Sequence, residues 1–178
     1  YVAIGKAQEW GFDTIFAAST GNAATSLAGL SAAAGLKAVV FVPERIPEGK
    51  LAQLLVYGAE VLLVRGSYDD AYDLAIEVGF KKGWYCRNTA MNPYLLEGKK
   101  TGALELALQL NWDVPDLVFV PVGDGTVISG ICKGFLELKL LGKIETVPAV
   151  VGVQAEGSDI VKRVYDHYVE TGEIVLMD

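Results

Sequence analysis

The feature that most constrains this chain is its alternation. Short apolar runs rich in β-branched residues take turns with stretches of helical spacing, and glycine or proline stands at most junctions. Residues 14–18, 37–42, 59–64 and 84–87 read as strands, and 117–122 and 147–153 as two more. Residues 2–10, 22–34, 48–57, 68–80, 98–110, 126–141 and 158–169 carry apolar side chains three and four apart and read as helices, with Leu51, Leu54 and Leu55 together on one side of the third. Strands alternating with helices form right-handed βαβ units, whose strands lie parallel. The continuous run over 37–42 marks a strand buried on both faces. The expected fold class is therefore α/β, with mostly parallel sheets and flanking helices.

Such sheets bind ligands beyond the carboxyl ends of their strands. Three strand-to-helix turns carry glycine or small polar residues: 19–22, 123–126 and 156–158. They are expected to share one rim and so to form a cleft. Ser19, Thr20, Gly21 and Asn22 link the first strand to an alanine-rich helix, where exposed N–H groups and the helix dipole favour an anion. The competing reading is a plain helix cap, since Ser, Thr and Asn all cap well. Gly123, Asp124, Gly125 and Thr126 let the backbone approach a ligand, and consecutive N–H groups there suit a phosphate. The stretch is neither G-x-G-x-x-G nor a Walker loop, so a dinucleotide site and a P-loop are disfavoured. Asp124 would repel a phosphate unless its side chain points outward.

At 178 residues the chain can hold one ordinary domain or two small lobes. The long connection containing Asn92 and Pro93 is the expected boundary, giving lobes 1–92 and 93–178. A net charge of -7 without a basic cluster argues against nucleic acid as a partner. Neither a membrane span nor a signal peptide is visible, and Cys86 and Cys132 suggest no disulfide framework, which fits the cytoplasm. His167, the single histidine, reads as a surface residue, and no motif indicates a metal site. Lys6, Lys50, Lys81, Lys82, Lys99, Lys100 and Lys162 read as solvated charges, and Tyr57, Tyr68 and Tyr72 as packing. Both ends read as interior to a longer protein: residues 1–10 are a helix with no strand before it, and 173–178 stop where a strand would begin.

Several segments together resemble the fold-type-II pyridoxal-phosphate enzymes, a two-lobed, tryptophan synthase β-like family. Ser19-Thr20-Gly21-Asn22 before an alanine-rich helix is similar to that family's substrate-carboxylate loop. Tyr57-Gly58-Ala59-Glu60-Val61 is similar to its "GAEV" strand start, and Pro121 to Thr126 matches its phosphate-loop position. Val151 to Gly157 is similar to the strand that follows, and Asn92 to Thr101 resembles the "NP…EG-K-T" segment of threonine synthases. The resemblance implies pyridoxal 5'-phosphate as cofactor and a small amino acid as substrate. Ser19, Thr20, Gly21 and Asn22 would hold the substrate carboxylate, Asn22 also lying near the cofactor ring. Gly123, Asp124, Gly125 and Thr126 would cradle the cofactor phosphate.

The resemblance also implies a lyase of threonine-synthase type, homodimeric at full length, converting O-phosphohomoserine and water to threonine and phosphate. The family's Schiff-base lysine is expected upstream of Tyr1, so no catalytic residue is assigned and the chain alone is expected to be inactive. Ala23 stands where the family usually has Thr, and Leu95 where threonine synthases usually have an arginine for the substrate phosphate. A serine/threonine dehydratase, a diaminopropionate-type lyase and a non-catalytic module binding a phosphorylated ligand remain as alternatives.

Overall fold

The computed structural model describes residues 1–175. Residues 176–178 of the strand expected at the end lie outside the described residues, and 173–175 form neither helix nor strand. Contacts divide the chain between Leu95 and Leu96.

The first unit runs α1 (Val2–Glu9), β1 (Thr14–Ala18), α2 (Asn22–Ala34), β2 (Lys37–Pro43), α3 (Glu48–Val56), β3 (Glu60–Val64), α4 (Tyr68–Lys81) and β4 (Tyr85–Cys86). Its sheet has the order β3-β2-β1-β4 with every pairing parallel. Strand β1 lies inside the sheet and is buried at all five positions. Period-two alternation splits its side chains between two cores. Ile15 and Ala17, with Val40 and Val42, pack against Ala3, Ala7, Ala24, Leu27 and Leu54. Phe16 and Ala18, with Val39 and Phe41, pack against Ala71 and Ala75 of α4. Helix α4 comes close because Gly79 faces Phe16, where a Cβ would lie 2.2 Å from the ring. It starts at a capping box between Ser67 and Asp70.

Three expectations change here. Helix α3 buries only Leu54, while Leu55 is 55% exposed. It packs beside α2 over the edge strand β3, and Leu54 alone reaches the core. Strand β4 is two residues long, pairing only with Ile15 and Phe16. The single helix expected over 98–110 is two, α5 (Leu95–Lys99) and α6 (Thr101–Gln109). The Asn92 Oδ1 accepts the Tyr94 N–H at 3.1 Å, and this turn starts a helix before residue 98. A 3-10 turn, Thr89–Met91, precedes it.

The second unit continues with β5 (Leu117–Pro121), α7 (Thr126–Leu140), β6 (Ala149–Val153) and α8 (Ile160–Thr171), with β5 and β6 paired in parallel. Helices α6 and α7 meet around Ala103, Ala107, Phe135 and Leu138. Gly134 permits the contact, because a Cβ there would lie 2.6 Å from the Lys100 carbonyl oxygen. The sequence reads 117–122 as a buried strand, yet Val120 alone is buried and Phe119 is 65% exposed. Strands β5 and β6 have only each other as partners among the described residues. No helix of the described residues is long and apolar enough to cross a membrane.

Candidate functional site

In the first unit the Ser19–Asn22 stretch leaves the carboxyl end of β1. The Ser19 N–H donates to the Phe41 carbonyl at 3.3 Å, and the Ser19 hydroxyl accepts the Gly21 N–H at 3.3 Å. Gly21, in extended backbone, is the residue before α2, and no side chain caps that helix. The capping explanation of these residue types is therefore not realised. The Asn22 and Ala23 N–H groups have no partner among the described residues, so α2 keeps free donors at its positive end. Asn22 is exposed and lines an open depression of about 510 Å³ with Thr25, Ser26, Gly29, Leu30 and Tyr57. Tyr57 packs its ring 3.6 Å from where a Gly29 Cβ would stand.

Neighbouring residues at this rim gave no signal in the sequence. The Arg87 N–H donates to the Phe16 carbonyl at 2.8 Å, carrying the β4 backbone along β1. Asn88, 4% exposed, accepts the Ala18 N–H on its Oδ1 at 2.9 Å, while its Nδ2 is buried without a partner among the described residues. Tyr68, read as packing, donates its hydroxyl to the Ala18 carbonyl at 3.1 Å. Burial pulls the Arg87 guanidinium below its ordinary pKa; the Cys86 thiol and Tyr68 phenol act the other way. Leu95 is buried in the core of this unit.

In the second unit Gly123, Asp124, Gly125 and Thr126 join β5 to α7. Gly125 has φ +76, and a Cβ at Gly123 or Gly125 would meet nothing within 4 Å. The Val127 and Ile128 N–H groups have no partner among the described residues. The Asp124 side chain does not point away. Its Oδ1 accepts the Thr126 N–H at 3.1 Å and the Thr126 hydroxyl at 2.7 Å. Burial pushes this carboxyl up, but the Thr126 hydroxyl and N–H and the Lys99 ammonium hold it below the ordinary carboxylate value.

Lys99 donates to the Thr126 hydroxyl. Lys100 sits between Glu97 at 2.6 Å and Glu137 at 2.7 Å. Neither lysine is the solvated charge that the sequence suggests. The signal that could have revealed Lys99 is its place just before α6, whose partner α7 begins at the glycine turn.

The third turn, 156–158, is tight, with the Ser158 N–H donating to the Ala155 carbonyl at 2.9 Å. The three turns do not follow strands of a single sheet. The first follows a strand of the four-stranded sheet, the other two follow β5 and β6 of the separate two-stranded sheet. Each unit thus carries glycine-lined backbone donors at a helix start. A phosphate fits the second, where an ammonium and open space at two glycines meet those donors. His167 is half-buried on α8, where its carbonyl accepts the Thr171 hydroxyl at 2.8 Å.

A model of the family described as "Pyridoxal-phosphate dependent enzyme" matches residues 1–175. Threonine synthase of Methanocaldococcus jannaschii is 46% identical over 158 residues, covering 88% of this chain and 39% of that protein. Threonine synthase of a Bacillus species is 37% identical over 175 residues, covering 98% and 48%. The chain thus spans less than half the length of these relatives. Among solved structures, a threonine deaminase from T.th. superposes with a TM-score of 0.75 at 28% identity, covering 97% of this chain and 53% of that one.

Proposed function

Since the chain belongs to the family of pyridoxal-phosphate dependent enzymes, we propose that it is the part of a threonine-synthase-type lyase that grips the substrate carboxylate and the cofactor phosphate. The net reaction is O-phosphohomoserine plus water giving threonine plus phosphate. The observation that carries the reading is the Ser19–Asn22 stretch, whose polar residues leave the α2 donors uncapped. A polar turn that spends no side chain on its own helix keeps those groups for a ligand.

When bound, pyridoxal phosphate supplies an electron sink for the substrate's Cα. The chain's own residues supply position. The hydroxyls of Ser19 and Thr20, the Asn22 amide and the first α2 N–H groups hold the carboxylate, which fixes the direction of the Cα–H bond. Asn22 would also stand near the cofactor's ring hydroxyl. Gly123, Asp124, Gly125 and Thr126, with Lys99, hold the cofactor phosphate at the α7 start. Asp124 contributes its backbone N–H, and its carboxylate charge is offset by the Thr126 donors and the Lys99 ammonium. No residue of the chain is assigned proton transfer. In this reading 1–92 form the smaller lobe, 93–178 belong to the larger one, and the protein is a cytoplasmic homodimer acting on a small amino acid rather than nucleic acid.

The test uses the intact protein with pyridoxal phosphate and O-phosphohomoserine. Phosphate and threonine released in equal amounts are the expected result. Ammonia and 2-oxobutyrate formed from threonine, without turnover of the phosphorylated substrate, would instead make it a dehydratase.

A further inference from the structure

Helix α7 carries small residues four apart at Thr126, Gly130 and Gly134. Positions four apart share one face of a helix and rise about 6 Å along it. Residues 99 and 100 lie against that face. A Cβ at Gly130 would stand 2.7 Å from the Lys99 Cβ, and a Cβ at Gly134 would stand 2.6 Å from the Lys100 carbonyl oxygen. The Lys99 side chain therefore starts beside Gly130 and donates to the Thr126 hydroxyl, one turn back along α7. The four-carbon stem of a lysine covers that interval. The Thr126 hydroxyl in turn donates to the Asp124 Oδ1 at 2.7 Å.

Four charges beside this contact close into a ring. The Lys100 ammonium lies 2.6 Å from the Glu97 Oε2 and 2.7 Å from the Glu137 Oε2. Lys133 pairs with the Glu97 Oε1 and lies 3.8 Å from the Glu137 Oε1. Each carboxylate meets two cations and each cation two carboxylates. Hydrogen bonds from Lys100 and then Lys133 hold the Glu97 carboxyl below its ordinary pKa, and those to Glu137 and Glu97 hold the Lys100 ammonium above its own. A single exposed ion pair fixes geometry weakly, whereas several joined in a network fix it better. Two members of this ring, Glu97 and Lys100, flank Lys99 in the chain, and the other two stand on α7. The segment is thus tied to α7 on both sides of Lys99, and Lys99 itself reaches Thr126.

We infer that Glu97, Lys100, Lys133 and Glu137 are positioning residues, a ring of charges that holds Lys99 at the Gly123–Thr126 turn and so gives the site its preference for a phosphorylated cofactor over the same aldehyde without phosphate. This rests on the reading that the turn takes the cofactor phosphate. The ring acts through Lys99 and has no assigned contact with the phosphate. A lysine stem has many rotamers, and fixing its root shortens the search of its ammonium for the anion. An ammonium already beside the helix start needs little rearrangement when the phosphate arrives.

The test titrates the intact protein by fluorescence with pyridoxal phosphate and with pyridoxal, which keeps the aldehyde and lacks the phosphate. Lys99→Met should weaken pyridoxal phosphate by at least about tenfold and leave pyridoxal within about twofold. Glu97→Gln should weaken pyridoxal phosphate by at least about fivefold, again with pyridoxal within about twofold. Glu97→Asp, which keeps the charge, should recover part of that loss. In a Lys99→Met background Glu97→Gln should change pyridoxal phosphate affinity by less than about twofold, because its effect passes through Lys99. Lys133→Met breaks the same ring from α7; it should repeat the Glu97→Gln result and serves if that variant does not fold. An unchanged preference in Glu97→Gln, equal losses of both ligands, or the full Glu97→Gln loss without Lys99 would each overturn the positioning role. Failure of the parent reading looks different: Lys99→Met itself leaves the preference for pyridoxal phosphate unchanged.

Discussion

Gly123 and Gly125 offer an internal control on the cofactor site, because the same substitution meets different backbones. At neither position would a Cβ touch the protein within 4 Å, so packing does not oppose Ala at either. Gly125 has φ +76, where an L side chain costs about 1–2 kcal/mol. Gly123 is not among the positive-φ glycines, so Gly123→Ala should leave the apo protein unchanged or stabilise it by about 0.4–1 kcal/mol through the unfolded chain. On the proposed assignment, either methyl group would compete with the phosphate for the open space at this turn. Loss of one hydrogen bond to a charged group costs about 1.5–3 kcal/mol, which is about 10- to 150-fold in affinity. Gly123→Ala should therefore bind pyridoxal phosphate at least tenfold more weakly with no loss of stability, and Gly125→Ala should lose both. Fluorescence titration of the cofactor and denaturant unfolding of each apo form in the intact protein give the two numbers. A Gly123→Ala protein that binds pyridoxal phosphate as tightly as the wild type would refute the phosphate assignment at this turn.

Further expectations concern the other elements. Asn22→Ala should change stability by less than about 0.5 kcal/mol, since no cap is lost, while raising KM for the amino acid at least tenfold; a fall in melting temperature with normal KM would restore the capping role. Asp124 is held below the ordinary carboxylate pKa. Its stabilising contribution is complete above the unfolded value of about 3.9 and disappears as pH falls through the lower folded value. Lys99→Met should move the Asp124 titration upward by NMR, and an unmoved titration would separate Lys99 from this turn. Gly134→Ala should destabilise the α6–α7 pair by about 1–3 kcal/mol, because its Cβ would press on the Lys100 backbone; chemical denaturation within error of wild type would contradict that contact.

The fold was legible because its signals are local. Uninterrupted apolar runs and glycine stops are read one element at a time, and α2 ends at Ala34 before Gly35, which has φ 71. What was not legible depends on distant partners. Lys99 and Lys100 look alike in sequence, yet one meets Thr126 and the other Glu137, fixed by how α6 crosses α7. Asn88 reads as loop polarity, and only the register of β4 on β1 turns it toward Ala18. That Ser19 to Asn22 and Gly123 to Thr126 join a strand to a helix was legible, because glycine next to small polar residues after an apolar run marks a turn. Their membership in different sheets was not, since strand order is a property of pairing.

The interior place of β1 has a consequence for how the first unit moves. Amides flanked by β2 on one side and β4 on the other open to solvent only when a larger part of the sheet opens, so Phe16 and Ala17 should be among the slowest to exchange hydrogen. The carboxylate turn begins on that slow strand, whereas Arg87 and Asn88 extend from a two-residue edge strand that can fray far more often. Exchange around residues 85–88 should therefore run far ahead of exchange in β1, although the two strands are hydrogen-bonded neighbours.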